Sequence, residues 1–463
     1  MTRLKNSPRR SGLPALGIGL LVVLGALAGA TAYTGSQTVQ TQEDLASTLK
    51  AQVNASGYAR VTSSTYQRGF LSSTQVLNVM LGKEGEAGSV PIIITNRIQH
   101  GPLPGFKTVG NALIDTEVKF ADAALQKKVE EALGGQQPVI RTVVGLDGST
   151  NTHFEVPKGQ FSDQGAAITW QPLTGDVSNG LSASSRIDWP EFKVTSPEGN
   201  LTFSGLSGSG TTRKQNADDL LGVGDQTMTL KSLTYSSTSG EAKGNFTLSD
   251  LKAGGKSTLD GGFYNAALLY DIGQLALEMP GSPAQNYKNV QLHLSMNHLS
   301  REPLSRLAKT FSELGKQSQA NPNQTPDVSD AQQKAMLDDA VALLKAQPVL
   351  SVDRVSLTQP SGEIVLTGKA ELPGAAELSS ENVEMLSASP LAALGLAKLQ
   401  AQFKAPEAAL RELLTNLAPE AVQNLDGMIQ AGMLKREGTL LVSDMAFESG
   451  AGTVNGQALG GGF

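Results

Sequence analysis

The chain of 463 residues carries a formal net charge of -6 and 39% hydrophobic residues. This balance fits a folded globular protein and excludes an intrinsically disordered polymer. Because the chain contains no Cys, disulfides, thiolate nucleophiles and cysteine metal sites are excluded. A sequence pI near 5.4, without a long basic block, argues against nucleic acid as a partner, since phosphate contacts need clustered Lys and Arg.

The N-terminus pairs a basic segment, residues 1–12, with an uncharged apolar segment, residues 13–32. About twenty apolar residues match the roughly 30 Å hydrocarbon core of a bilayer when they are helical. A basic flank favours a cytoplasmic N-terminus. We therefore predict a single-pass membrane anchor that places the rest of the chain outside the cytoplasm.

A cleaved signal peptide is the alternative for the same segment. The small-residue triplet Ala30-Thr31-Ala32 resembles a cleavage site. Both interpretations export residues 33–463.

Residues 37–56 follow the apolar segment and have the pattern of an amphipathic helix. Thr41 and Asp44 suit its first turn, and apolar side chains recur at four-residue intervals from Leu45. Such a helix would dock on the protein, lie on the membrane surface, or form a homodimer with a second copy.

Residues 58–290 are predicted to form a β-rich lobe. Short alternating runs of Val, Thr, Ile and Phe are separated by Gly, Ser and Asn, which are strand and turn signals. A Gly-bearing turn followed by an alternating strand recurs near residues 200, 245, 365 and 440. Repeated hairpins of this kind indicate an extended antiparallel sheet.

Residues 291–463 are predicted to form a second lobe of mixed helices and strands. One helix is predicted earlier in the chain, at 120–133. Apolar periodicity, caps and prolines predict the remaining elements. These are helices at 302–316, at 329–346 capped by Ser329, and at 380–434 with new starts at Pro406 and Pro419, and strand pairs at 349–372 and 439–459. The predicted fold class is α+β, with one N-terminal transmembrane helix followed by an extended, curved antiparallel β-sheet with clustered helices.

No catalytic, cofactor-binding or metal-ligating set is assigned from the sequence. The four His residues lack the spacing of a helical zinc motif. Residues 253–258, AGGKST, lack the first Gly of a phosphate loop and are interpreted as a polar turn. Ser72 and Ser73 have no neighbouring base in the sequence and no nucleophile-elbow pattern.

Three short phrases in order resemble the YdgA-like family of bacterial membrane-anchored envelope proteins. They consist of Tyr66, Arg68, Gly69, Phe70, Ser72 and Ser73, then His100, Gly101 and Pro102, then Val454, Asn455 and Gly456. The resemblance spans about residues 16–460. It implies an exported protein held at the bacterial inner membrane with its bulk in the periplasm, without an established activity, catalytic set or cofactor.

Each phrase also has an interpretation from folding alone. Gly69 permits a bend with Phe70 filling a core and Arg68 bonded to an oxygen. His100-Gly101-Pro102 ends a strand in a rigid turn. Asn455-Gly456 is a type I′ hairpin signal.

The leading functional hypothesis is a noncatalytic envelope protein that acts by binding or scaffolding. The alternative is a carrier of lipid or another apolar ligand, with a β-sheet trough like that of AsmA-type proteins, by analogy of fold. An enzyme is the third reading. The lining of the sheet separates the first two, because an apolar trough predicts a carrier and a polar inner face does not.

Overall fold

A computed structural model describes residues 59–82, 89–163, 165–216, 219–237, 243–281, 283–320, 328–379, 395–448 and 450–459. These residues form antiparallel β-sheet with five α-helices. The predicted anchor at 13–32 and the predicted helix at 37–56 lie outside the described residues. Among the helices that are described, none combines the length and the apolar character needed to cross a bilayer.

The chain divides into two compact units. Unit 1 comprises Met1–Ser209 and Ser237–Glu241, and unit 2 comprises Gly210–Ser236 and Ala242–Phe463. The boundary predicted near residue 290 falls within a strand of unit 2, at a register shift between Lys288 and Gln291.

Unit 1 is an antiparallel meander. Its strands are β1 (Ala59–Arg68), β2 (Ser72–Leu81), β3 (Val90–His100), β4 (Ala112–Phe120), β5 (Val139–Val144), β6 (Thr150–Val156), β7 (Gly159–Asp163), β8 (Ala166–Trp170), β9 (Leu173–Asn179) and β10 (Ser182–Ser196). Strands β6–β7 and β8–β9 form one long hairpin, interrupted where Pro157 and Pro172 cannot donate to a ladder. Helix α1 (Ala123–Ala132) joins β4 to β5.

The interior side of the unit 1 sheet carries two apolar clusters. One contains Leu77, Val79, Ile92 and Ile94 at the β2–β3 pair. The other surrounds Trp170, whose indole Nε1 donates to the carbonyl of Pro157 at 2.8 Å. Alternating apolar residues along these strands produce this one-sided burial.

Unit 2 continues the same antiparallel pattern and adds helices. Its strands are β13 (Gly244–Asp260), β14 (Phe263–Glu278), β15 (Gln285–Ser300), β16 (Val349–Gln359), β17 (Gly362–Glu371), β18 (Lys398–Pro406), β19 (Lys435–Glu437), β20 (Leu440–Glu448), β21 (Ala451–Val454) and β22 (Gln457–Ala458). Its helices are α2 (Arg301–Ala320), α3 (Asp330–Lys345), α4 (Glu407–Leu417) and α5 (Ala421–Gln430). Strands β11 (Gly199–Arg213) and β12 (Val223–Ser237) contain residues of both units.

Most predicted helices are confirmed, and two of them have side-chain caps that their sequences provide. Asp122 caps α1, and Ser329 caps α3 with Gln332 in a capping box. Two predictions are wrong. Residues 398–406 of the predicted helical stretch form β18, and AGGKST lies within β13, because its small residues pair along a continuous ladder. Residues 380–394 lie outside the described part.

Candidate functional site

The first two family phrases meet at one end of unit 1. The β1–β2 hairpin turns at residues 69–71, and the β3–β4 connection spans residues 101–111. The His100 amide donates to the carbonyl of Leu71 at 2.9 Å. Ser73 Oγ and His100 Nε2 are hydrogen-bonded at 2.7 Å. Ser73 and His100, which lie 27 residues apart in sequence, therefore bring the two phrases together. We call the end of the unit 1 sheet that holds these two connections the motif end.

The Ser73–His100 pair is a contact that the sequence analysis missed. A Ser–His pair is the core of many hydrolases. Here, however, Ser73 is 4% exposed, and no hydrogen bond or ion pair among the described residues joins His100 to a carboxylate. The geometry suits a clamp between β2 and β3 better than an activated nucleophile.

Both phrases require glycine, because another part of the backbone passes too close to leave room for a Cβ atom. A Cβ atom at Gly69 would lie 2.3 Å from the carbonyl oxygen of Ser72. A Cβ atom at Gly101 would lie 1.8 Å from the carbonyl oxygen of Gly110. Both distances are far inside van der Waals contact, so neither turn can form with a larger residue.

Phe70 is where the prediction from sequence is wrong. Its side chain is 97% exposed instead of filling a core. The reason is its position beyond Arg68 and Ser73, the last paired residues of the hairpin. Arg68 is also exposed, and no hydrogen bond or ion pair among the described residues engages its side chain, so the predicted bond to an oxygen is not seen there.

The part of the unit 1 interior next to the motif end is polar. Asn96 Nδ2 donates to Gln75 Oε1 at 2.9 Å, and Thr116 Oγ1 donates to Asn96 Oδ1 at 2.8 Å. All three side chains are buried. Tyr66 pairs with Gln75, and its hydroxyl is buried without a hydrogen-bond partner among the described groups. The hydrogen bonds among Gln75, Asn96 and Thr116 offset the cost of burying these three side chains.

The third phrase lies in unit 2 and forms the predicted hairpin. Asn455 and Gly456 have φ values of 54° and 77° between β21 and β22, as a type I′ turn requires. Asn455 Nδ2 donates to the carbonyl of Gly432 at 2.8 Å, and the Asp444 amide donates to Asn455 Oδ1 at 3.0 Å. Val454 is buried.

The histidines occupy separate places. His153 Nδ1 lies 2.9 Å from Asp176, and His293 Nε2 lies 2.8 Å from Asp271. His298 Nδ1 lies 2.6 Å from the carbonyl of Ala346, and its ring stacks on Phe263. Within the described ranges, no group of acidic or His side chains is arranged to hold a metal ion.

The unit 2 sheet has two chemically different faces. Cross-strand partners in a sheet point to the same side. The pairing therefore places three rows of mainly apolar residues on one side, which we call the apolar face. These rows are Ala253–Tyr270–Leu292–Val355–Leu366–Phe403, then Gly255–Leu268–Leu294–Val352–Gly368–Ala401–Met445, and then Ser257–Ala266–Met296–Leu350–Ala370–Leu399–Phe447.

Helical segments pack at both strand ends of the apolar face. Ala409 of α4 packs with Ile364 and Ala405 at one end. Val341 of α3 packs with Ala375 and with Leu372, just past β17, at the other. Between these ends the large side chains are only half covered. Their exposed fractions run from 37% to 48% for Leu268, Tyr270, Leu292, Met296, Leu350 and Met445.

The opposite, polar face carries a hydrogen-bond network. Asp271 Oδ1 accepts from Gln291 at 2.9 Å, and Arg354 Nε donates to Gln291 Oε1 at 2.7 Å. Burial raises the pKa of Asp271, but hydrogen bonds from His293 and Gln291 outweigh it, so the pKa lies below its ordinary value.

A groove of about 670 Å³ lies on this polar face. Its lining includes Ser351, Thr367, Lys369, Gln400, Gln402 and Asp444, and also Val352, Gly368, Ala401 and Met445 of the apolar rows. Because side chains alternate along a strand, the first six residues point away from the apolar face. The groove therefore does not match the predicted apolar trough, and the apolar surface of unit 2 is the other side of the same strands.

Comparison with known proteins gives a family. The model of a bacterial protein of unknown function, DUF945, matches residues 14–460. The chain belongs to the DUF945 family. The match covers nearly the range over which the sequence resembles YdgA-like proteins, and that narrower name stays a prediction. No curated protein and no solved structure matches the DUF945 chain.

The residues of the apolar face were not predicted from the sequence. A signal was present, since apolar residues alternate with polar ones through 290–296 and occupy every even position from 264 to 272. Alternation alone predicts a half-buried strand. It does not show which side lacks a packing partner.

Proposed function

We propose that this DUF945 protein is a noncatalytic, membrane-anchored envelope protein that binds an apolar chain, such as the acyl chain of a lipid, on the apolar face of unit 2. One observation carries the proposal. Three adjacent rows of apolar side chains cross the sheet, and their centre is half-exposed. Exposed contiguous apolar surfaces are rare on proteins that bind nothing.

The shape of the surface favours a chain-like ligand. Gly368 and Ala401 are adjacent in the middle row and leave the sheet shallow there. The segments packed at Ile364 and Leu372 stand at either side of that position. Leu372 lies eight positions after Ile364, which corresponds to a distance of roughly 26 Å along an extended chain. An acyl chain lying across the strands fits between them.

The location proposed for this activity is the periplasmic side of the bacterial inner membrane. Residues 13–32 serve as the anchor, residues 1–12 stay in the cytoplasm, and residues 33–463 are exported. Fusion of alkaline phosphatase to the C-terminus tests this topology. Phosphatase activity in intact cells supports export, and an inactive, stably produced fusion contradicts it.

Retained lipid in the purified full chain tests the binding. Met445→Gln replaces an exposed apolar side chain on the apolar face. Ala446→Gln is the matched control, because Ala446 is also exposed and points to the polar face. We expect native mass spectrometry to show lipid bound to the wild type and to Ala446→Gln, and a several-fold loss in Met445→Gln.

Equal lipid retention in both variants, or none in the wild type, contradicts the proposal. A scaffolding role is the second candidate, favoured by the same exposed surface. It predicts a protein that copurifies with the wild type and Ala446→Gln but not with Met445→Gln, in place of lipid.

A further inference from the structure

Unit 1 has an exposed apolar surface of its own at the motif end. Four chain connections lie there, because alternate turns of an antiparallel meander lie at the same end of the strands. They are residues 69–71, 101–111, 145–149 and 180–181. The first and fourth are separated by six strand spacings, or roughly 29 Å.

The exposed apolar side chains of unit 1 are concentrated at the motif end. Seven of the eight large hydrophobic residues that are exposed in the described part of unit 1 lie in these four connections. They are Phe70, Leu71, Leu103, Phe106, Val109, Leu146 and Leu181. The distribution is too uneven for the scattered apolar exposure that any surface has.

The longest connection is built to present its aromatic residue. Phe106 is 94% exposed and has a φ of 57°, which is unfavourable for a residue with a bulky side chain. The loop holds it there. The Phe106 amide donates to the carbonyl of Leu103 at 3.1 Å, and the Gly110 amide donates to that of Pro102 at 3.0 Å. Pro104 is buried beneath it. Strain that is held by its surroundings points to a function.

We infer that the motif end is a docking surface for a phospholipid bilayer. Its apolar side chains project from separate connections, as wedges that enter the acyl region of a membrane interface do. Arg68 and Lys107 add positive charge suited to anionic headgroups. The one acidic side chain of the four connections, Asp147, is engaged by Ser149, whose amide and hydroxyl donate to it at 2.9 and 2.6 Å.

A bilayer lies within reach if the proposed anchor is correct. With the predicted helix at 37–56, residues 33–58 span up to roughly 50 Å, and β1 is about 33 Å long. This step alone rests on the proposed anchor. The two tests fail differently, since reporter fusions measure the anchor and the probes below measure the motif end.

Site-specific fluorescence tests the docking surface, because the chain has no Cys to compete for labelling. Leu71→Cys and, as control, Gln136→Cys are each labelled with an environment-sensitive fluorophore. Gln136 is exposed and lies between β4 and β5, at the end of the strands opposite the motif end. The full chain is reconstituted in vesicles of phosphatidylethanolamine and phosphatidylglycerol. We expect a blue shift and quenching by doxyl-labelled lipid at position 71, and neither at position 136.

Adding Phe106→Ser to the Leu71→Cys chain should reduce the quenching several-fold, although Phe106 belongs to a different connection. Its exposure means that folding should be retained, which tryptophan fluorescence checks. Equal quenching at positions 71 and 136 overturns the inference. The inference is also overturned if the probe at position 71 is shielded from water in whole cell envelopes but not on lipid vesicles. That result indicates a protein partner.

Discussion

The two units of this DUF945 protein use similar antiparallel meanders but place their apolar surface differently. In unit 1 most apolar residues of the sheet are buried, as in the Leu77 and Ile92 cluster, and all but one of the exposed large ones lie in the connections. In unit 2 the half-exposed apolar residues, such as Leu268 and Met445, lie on the sheet itself.

The difference shows that the strand pattern does not determine what a sheet face does. Alternation in both units puts apolar residues on one side. In unit 1 that side is covered and supplies stability. In unit 2 the described helical segments cover its ends while the side chains of its middle are half-exposed, so the same pattern supplies the surface that we propose for binding.

The largest expected effect comes from truncating a buried residue of unit 1. Ile92→Ala should lower the free energy of unfolding by about 2–5 kcal/mol, because it removes buried contacts and leaves a cavity. Leu268→Ala on the half-exposed face of unit 2 should cost about 1 kcal/mol or less. Urea unfolding followed by circular dichroism measures both changes, and similar costs would erase the distinction between the units.

Breaking the buried polar row of unit 1 should have the next largest effect. Asn96→Leu leaves the Gln75 and Thr116 side chains without their partner, at a cost of about 1–3 kcal/mol. Asn78→Ala is the control, since its bond to Ser63 is exposed and should change stability by about 0.5 kcal/mol or less. Both Trp residues lie in unit 1, so their fluorescence reports this unfolding.

The turn of the third phrase should matter somewhat less. Asn455→Ala loses the bonds to Gly432 and Asp444 and introduces a residue less suited to positive φ. We expect a loss of about 1–2 kcal/mol, from the hydrogen bonds and the turn together. Gln457→Ala, at an exposed neighbouring position, should be nearly neutral. If the two variants unfold alike in urea, Asn455 has no such structural role.

The smallest effect is the pH dependence of a surface ion-pair cluster in unit 2. Hydrogen bonds from Arg436 and Arg411 lower the pKa of Glu407 to about 2. A lowered pKa stabilises the fold above the ordinary value of 4.5, and this stabilisation is lost as the pH falls through about 2. The stability difference between wild type and Glu407→Gln should therefore be constant above pH 5 and shrink between pH 4.5 and 2. A difference that grows on acidification contradicts this assignment.

Local features of the fold could be predicted from the sequence, because local chemistry determines them. The Ser329 cap and the Asn455-Gly456 turn are examples. The Ser73–His100 contact could not be predicted, since it depends on the register of β2 against β3. The exposure of Phe70 and the open apolar face were missed for a similar reason. Both depend on how the described neighbouring elements are arranged in space, and a strand pattern does not record that.

Photocrosslinking in living cells tests the binding proposed for unit 2 most directly. A benzophenone amino acid replaces Tyr270 on the apolar face in one strain and Ala267 on the polar face in another; both positions are exposed. The account predicts a lipid adduct, identified by mass spectrometry, at position 270 and none at position 267. Adducts at neither position, or equally at both, would contradict it.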